Sequence, residues 1–306
     1  MRENDFIEWL REAAGGELDA GLVPVGPGDD CAVVLVGGER LCVSVDQLID
    51  GVHVEAARDG AEAFGRKAMA RALSDVAAMA AAPLAAVASL ALPRGFSRDD
   101  AEAIHRGRRA VSDAFGCPVV GGDVAATDGP LACSVTVLGR PDGIEPVLRA
   151  GARVGDAICA TGAFGGAWLT ARHLQFAPRI AEARAIASRA ALHAMIDASD
   201  GLAMDLSRVC RASGVGAEVD AAAVPVAPDA AAGRAIDPLA AALGDGEDYE
   251  LLFTVAPEAC EALLADPPCA VAITRIGRIV AGAGLTLVGA GGRREPLAPT
   301  GWEHGT

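Results

Sequence analysis

The chain has 306 residues, 52% hydrophobic, 22% charged and only 4% aromatic, with a net charge of −15. That balance is globular rather than disordered, and at roughly 100–200 residues per domain it points to two domains. The acidity, with no run of Lys or Arg, argues against nucleic-acid binding, and the longest uncharged stretch, Val76–Leu92, contains Pro83 and falls short of the roughly 20 residues of a membrane-spanning helix.

Residues Met1–Arg11 carry acids and no apolar core of a signal peptide, so a cytoplasmic location is expected. The spacing of Phe6, Trp9 and Leu10 predicts a helix over Asp5–Ala14. A Gly/Pro loop, Val25–Asp30, follows. The apolar runs Cys31–Val36 and Leu41–Val45 flank Gly37-Gly38-Glu39 and read as a hairpin. Ala61–Ala81 reads as a long helix with a possible break at Ser74-Asp75, Leu84–Leu92 as a strand, and Ser97–Phe115 as a helix capped by Ser97. Val119-Val120 and Leu131–Leu138 read as strands around a Gly-rich loop. The turn-rich Arg149–Asp156 marks the domain junction, which divides the chain into 1–145 and 146–306. Beyond it, Ala157–Thr161, Gly216–Val219, Tyr249–Val255 and Val271–Ile276 read as strands, and Gly201–Ser213 and Pro257–Leu264 as helices. The mixture predicts an α+β protein with helices over sheets in both halves.

Eight dispersed cysteines form no CxxC pair, which fits buried reduced thiols better than a zinc or redox site. Among the basic residues Lys67 is the only lysine. GxxxxGK[ST], HExxH, GxSxG and the protein-kinase motifs are absent; Gly162–Gly166 is a poor GxGxxG match. What recurs is aspartate at the borders of apolar segments: Asp29 and Asp30, Asp46, Asp75, Asp123, Asp197 and Asp200, then Glu247 and Asp248. Carboxylates there are costly unless paired or bound to a cation, and oxygen ligands suit Mg²⁺ rather than Zn²⁺. Each has a plainer reading. Asp29 and Asp30 fit a turn, Asp200 and Ser74-Asp75 fit helix caps, Glu247-Asp248 fits a polar turn, and His53 fits a surface histidine.

Taken together, Gly28–Ala32, Ser44–His53, Lys67–Met79, Ser89–Pro93, Gly121-Gly-Asp123, Arg149–Ala152, Gly155-Asp156, Ile196–Leu202 with Asp205-Leu206, and Gly246–Leu251 resemble the thiamine-monophosphate kinase family, in the superfamily of aminoimidazole ribonucleotide synthetase, selenophosphate synthetase and the hydrogenase-maturation dehydratase. The resemblance implies a two-domain fold. The first domain supplies strands to a barrel formed across a homodimer, the second is a ferredoxin-like layer, and ATP and several Mg²⁺ ions lie in the cleft between them. It implies Asp30, Ser44, Asp46, Asp75, Asp123 and Asp197 as metal ligands, Asp200 for a further ion, and Val45 through its backbone. It implies ATP contacts at Gly122, Asp123, Arg149 and Ser199, with Phe115 near the nucleotide, and thiamine monophosphate contacts at His53, Glu247 and Trp302. No catalytic base is implied: the nucleophile is a phosphate oxygen with a second pKa near 6, largely dianionic at pH 7.

The chain departs from the family pattern at Val124 and Ala125 after the GGD, at Ala72 where an Asn is usual, at Asp245 in place of the first Gly of GGED, and at Gly166 in place of an Asp. Two other readings compete. One is another ATP-using synthase of the superfamily, which the terminal Gly305-Thr306, with no reactive Cys, argues against. The other is a nucleotide-binding protein without turnover, which the departures alone support.

Overall fold

The computed structural model describes residues 3–15, 18–231 and 237–303. Helix α1 spans Glu3–Gly15, and its Phe6, Trp9 and Leu10 are exposed. The expected hairpin is β1 (Ala32–Val36) and β2 (Glu39–Ile49), paired antiparallel. A short helix α2 (Ala56–Asp59) leads into α3 (Ala61–Ala78), then β3 (Ala82–Pro93), α4 (Arg98–Ala114), β4 (Val119–Thr127) and β5 (Ala132–Arg140). Ser97 caps α4, accepting from the amide of Asp100 at 3.0 Å.

Two expectations are corrected. α3 runs unbroken through Ser74-Asp75, because both side chains bond to other elements instead of folding back on their own backbone. The Gly-rich stretch after Val120 is strand β4 itself, held parallel to β3 from Ala86↔Val119 to Pro93↔Thr127.

These strands form a five-stranded sheet in the order β1-β2-β5-β3-β4. Period-two alternation turns Cys42, Leu48, Val135, Val137 and Ala86 toward α3 and buries them. The register sets Val45, Thr136 and Val87 in one row on the other face, where Val45 is 66% and Val87 41% exposed. The sheet stays open within one chain. β1 pairs β2 only over Glu39–Val43, so Ser44–Ile49 has a free edge, and β4 is the other edge.

The second half contains β6 (Ala157–Thr161), a 3₁₀ turn over Arg172–Leu174, α5 (Ile180–Arg189), β7 (Leu192–Ala198), α6 (Leu202–Ser213), β8 (Gly216–Asp220) and a 3₁₀ turn over Pro228–Ala231. α7 (Pro238–Gly244), β9 (Glu250–Val255), α8 (Pro257–Ala265), β10 (Ile273–Val280), β11 (Gly284–Val288), a third 3₁₀ turn and β12 (Arg294–Leu297) follow. Its strands form a seven-stranded mixed sheet, β12-β11-β8-β10-β6-β9-β7. Two sheets with helices over them make the α+β class that the mixture of strands and helices in the sequence predicts. Leu202, Leu206 and Val209 of α6 pack on Ile158, Ile196 and Leu252 of this sheet, while Cys159, Met195 and Phe253 on its other face join the core of the first half. Helix α3 therefore lies between the two sheets. All eight cysteines are free thiols and seven are buried, as expected from the sequence. No helix among the described residues is long and apolar enough to cross a membrane.

Candidate active site

α3 organises the site. In a helix buried nearly throughout, Lys67, Arg71, Ser74 and Asp75 recur at i, i+4, i+7 and i+8 and so share one face. This polar stripe looks across to β2 and to the loops of the second half. Lys67 Nζ is 2.6 Å from Glu247 Oε2, Arg71 Nε is 2.9 Å from Asp46 Oδ2, Ser74 Oγ donates to Asp197 Oδ2 at 2.5 Å, and Asp75 accepts from the Ser44 hydroxyl.

The stripe gathers three acids from distant parts of the chain. Carboxylate oxygens of Asp30, Asp75 and Asp197 all lie within 4.8 Å of one another. Among the described residues, only one full charge opposes them at close range: Arg149 Nη2 donates to Asp30 Oδ1 at 2.5 Å. The other Asp30 oxygen, Oδ2, is buried with no hydrogen-bond partner. Burial, then the neighbouring Asp197, Asp46 and Asp30, push the Asp75 carboxyl well above the usual range. Burial and Asp30 push Asp197 up to about 8. Three close, buried, under-compensated carboxylates with an orphaned oxygen are a donor set that a hard divalent cation fits.

Beside the trio, a cavity of about 300 Å³ is lined by Gly28, Asp29, Arg149, Ser199, Asp200 and Arg208. Asp29 accepts from the Arg149 amide at 3.1 Å, which seats the arginine, while Asp30 turns inward. Burial, with Asp30 as a lesser cause, pushes Asp29 up to about 6. Arg149 Nε is a buried donor without a partner, available to an anion in the cavity. Asp200 is not a helix cap. Asp205, inside α6, accepts from the amides of Asp200 at 2.9 Å and Gly201 at 3.1 Å, so the Asp200 carboxylate is free of that duty and pairs with Arg208 at 2.6 Å.

The loop 245–249 runs beside residues 198–200. The Glu247 amide donates to the Ser199 carbonyl at 2.7 Å and the Tyr249 amide to the Ala198 carbonyl at 2.8 Å. This contact requires Gly246: its φ is +72°, and a Cβ would come within 2.8 Å of the Ser199 oxygen. Glu247 (φ 62°) and Tyr249 (φ 52°) hold left-handed backbone without being glycine, a local strain of about 1 kcal/mol or more each. His53, read as a surface side chain by its plainer reading, is buried at 6% exposure. Its Nδ1 accepts from the Ile49 amide at 3.1 Å, so a neutral ring carries its proton on Nε2, a donor suited to phosphate. Trp302 is half exposed and its amide donates to the Asp200 carbonyl at 2.8 Å, which sets the C-terminal segment beside the cavity.

Not every expected residue meets here. Gly122 and Asp123 are exposed on edge strand β4, three strand spacings or about 14 Å across the sheet from β2. Phe115 ends α4, packed against the core and away from the cavity lining. Val45 is level with Ser44 but points to the open face.

Two departures from the family pattern face each other: Gly166 donates its amide to Asp245 Oδ2 at 2.9 Å. Gly166 itself has φ +75° and no room for a Cβ, which would lie 2.4 Å from the Asp229 backbone. Ala72 is fully buried in the apolar core, and Val124 and Ala125 lie on β4.

Family models for AIR synthase related protein match residues 28–140 (N-terminal domain) and 154–290 (C-terminal domain). The thiamine-monophosphate kinase of Rhodopirellula baltica is 37% identical, covering 99% of this chain and 97% of its own. The chain belongs to the thiamine-monophosphate kinase family. The Halobacterium salinarum thiamine-monophosphate kinase is 38% identical over 96% of this chain and 100% of its own. Among solved structures, AaThiL complexed with AMPPCP and TMP superposes with a TM-score of 0.84 at 28% identity, covering 99% of this chain and 97% of that one. Within this family the residues that motif reading did not assign a role are Lys67, Arg71, His173 and Arg208. The signal for the first two was present, a polar stripe at helical spacing in an apolar helix; His173 and Arg208 have no comparable sequence signature.

Proposed function

We propose that the chain transfers the γ-phosphate of ATP to the phosphate of thiamine monophosphate, giving thiamine diphosphate and ADP. The observation that carries this reading is the Asp30–Asp75–Asp197 trio, with its orphaned oxygen, next to a cavity whose buried Arg149 donor is unspent. Family membership and the analogue-and-TMP complex of the structural relative support the two substrates.

An acceptor phosphate oxygen forms a bond to the γ-phosphorus as the bond to the β,γ-bridging oxygen breaks, in line, and ADP leaves with that electron pair. The acceptor is already anionic, so no side chain need remove a proton. The obstacle is repulsion: two unit charges 4 Å apart at an effective dielectric near 20 repel by roughly 4 kcal/mol, and two dianions by several times more. Asp30, Ser44, Asp46, Asp75, Asp197 and Asp200, with the Val45 carbonyl, are the groups that would hold Mg²⁺. Bound there, the ions would supply the charge neutralisation and alignment that phosphoryl transfer needs. The chain's own residues do the rest. Ser44 and Ser74 fix the carboxylates, Arg149 and Ser199 hold the nucleotide phosphates, and His53, Glu247 and Trp302 hold the acceptor.

Gly122, Asp123 and Phe115 reach such a cleft only from a second copy. The free edges at Ser44–Ile49 of β2 and at β4, and the open apolar face bearing Val45 and Val87, support a homodimer in which two sheets close into one barrel. We place the domain division at residues 145 and 146, and the chain in the cytoplasm, where free thiols stay reduced.

The test is turnover with ATP, thiamine monophosphate and Mg²⁺, read as thiamine diphosphate by chromatography. Diphosphate formed one for one with ADP, and abolished by EDTA, is the expected result; ADP release independent of the acceptor would sink the reading. For the dimer, mixing equal amounts of inactive Asp75→Ala and Asp123→Ala chains should restore about a quarter of activity if Asp123 serves the partner's cleft, since half the dimers are mixed and each holds one intact cleft. No recovery despite subunit exchange would rule that out.

A further inference from the structure

The acceptor side of the cleft carries a buried cation that phosphoryl transfer alone leaves unexplained. Lys67, the only lysine of the chain, has no exposed surface. A buried ammonium is costly unless its N–H groups and its charge are met, and here two hydrogen bonds and one ion pair meet them. Nζ lies 2.5 Å from the His53 carbonyl, 2.7 Å from His173 Nδ1 and 2.6 Å from Glu247 Oε2. These partners come from the loop after β2, the 3₁₀ turn 172–174 and the loop before β9, so one side chain ties both halves of the molecule together at the acceptor site.

The geometry also fixes the imidazole. An ammonium has no lone pair, so His173 accepts at Nδ1 and carries its proton on Nε2. That nitrogen is buried with no partner among the described residues. Trp168 stacks on the ring at 4.4 Å between centroids, and Nζ lies 5.3 Å from the Trp168 ring. Glu247 meets this cluster from strained left-handed backbone, an arrangement that persists only if its surroundings enforce it.

We propose that Lys67 is a positioning residue for the acceptor. It holds one oxygen of Glu247 and the backbone of His53, so that both keep the orientation that receives thiamine monophosphate, with His173 as the neutral third leg of the ammonium. The role rests on the kinase reading above and goes beyond it, because Lys67 itself need touch no substrate.

The test measures KM separately for thiamine monophosphate and ATP in wild type, Lys67→Met, Glu247→Gln and the double variant. Lys67→Met should raise the acceptor KM at least tenfold and leave the ATP KM within twofold. The double variant should be no worse than the poorer single, since Lys67 acts through Glu247. Equal increases in both KM values, or effects that multiply in the double variant, would overturn the proposal, as would an unchanged acceptor KM. A readout on the unmodified protein covers the case in which the variants do not fold. Lysine labelled with ¹³C at Cε gives one side-chain resonance, which should move on adding thiamine monophosphate and stay in place with AMPPCP alone. Wild-type protein that forms no thiamine diphosphate refutes the kinase reading; an active wild type with an unmoved resonance refutes only the role of Lys67.

Discussion

Two groups of buried acids in this molecule are treated in opposite ways. Three buried acids of the second half face a guanidinium: Asp248 with Arg172 at 2.9 Å, Glu250 with Arg179 at 2.5 Å, and Asp205 with Arg208 at 2.5 Å, although Arg172 also meets Asp229 and Arg208 also meets Asp200. At the seam between the halves, Asp30, Asp75 and Asp197 crowd within 4.8 Å and share Arg149. Counter-charge is at hand for the first group and scarce for the second, as the proposed cation site requires. On the proposed reading the paired acids serve the architecture and the trio serves the chemistry.

Single substitutions should separate the two groups. Asp75→Ala should lower kcat at least 100-fold while the chain stays folded, because it removes one of three repelling charges that folding does not need. Near-normal turnover in that variant would break the comparison at its root. Glu250→Ala should do the reverse. It leaves Arg179 with the longer pairing to Glu182 at 3.6 Å and removes the acceptor of the Thr161 hydroxyl, and should cost about 3 kcal/mol of stability in denaturant unfolding. A Glu250 variant as stable as wild type would show that pairing is not what makes burial tolerable there.

Much of this was legible in the sequence. Aspartates at the ends of apolar runs gave the trio, since an acid beside Val, Leu and Ile needs a reason to be there. The order of the motifs indicated the family. Other features depend on contacts no local pattern displays. Ser74-Asp75 read as a break because both residues favour caps, yet tertiary hydrogen bonds to Asp197 and Ser44 keep α3 whole. The Gly-Gly-Asp stretch read as a loop because those residues disfavour strands, and pairing with β3 overrode that preference. Asp205 took the capping role assigned to Asp200, and the hydrogen bond between Gly166 and Asp245 joins residues 79 apart. Lys67 was visible as the lone lysine, but its purpose appears only when His53, His173 and Glu247 converge on it.

The comparison rests finally on charge, and the response of the melting temperature to Mg²⁺ at two pH values reads it directly. Burial and Asp30 raise Asp197 to about 8 from an ordinary 3.8, so the folded chain keeps a proton that the unfolded chain has lost. Its contribution to stability is therefore complete below about pH 4 and fades as pH rises toward 8. Asp75 acts in the same direction, and so do Asp205 and Asp248, each pushed up to about 7 by burial, so the response to metal rather than the pH trend alone reports the trio. In EDTA the melting temperature should fall between pH 5 and 8. Added Mg²⁺ should recover roughly 3 °C or more at pH 8 and less at pH 5, and Asp75→Ala should abolish most of the recovery. A metal response that is absent, or equal at both pH values and intact in Asp75→Ala, would contradict the assignment of the trio as the cation site.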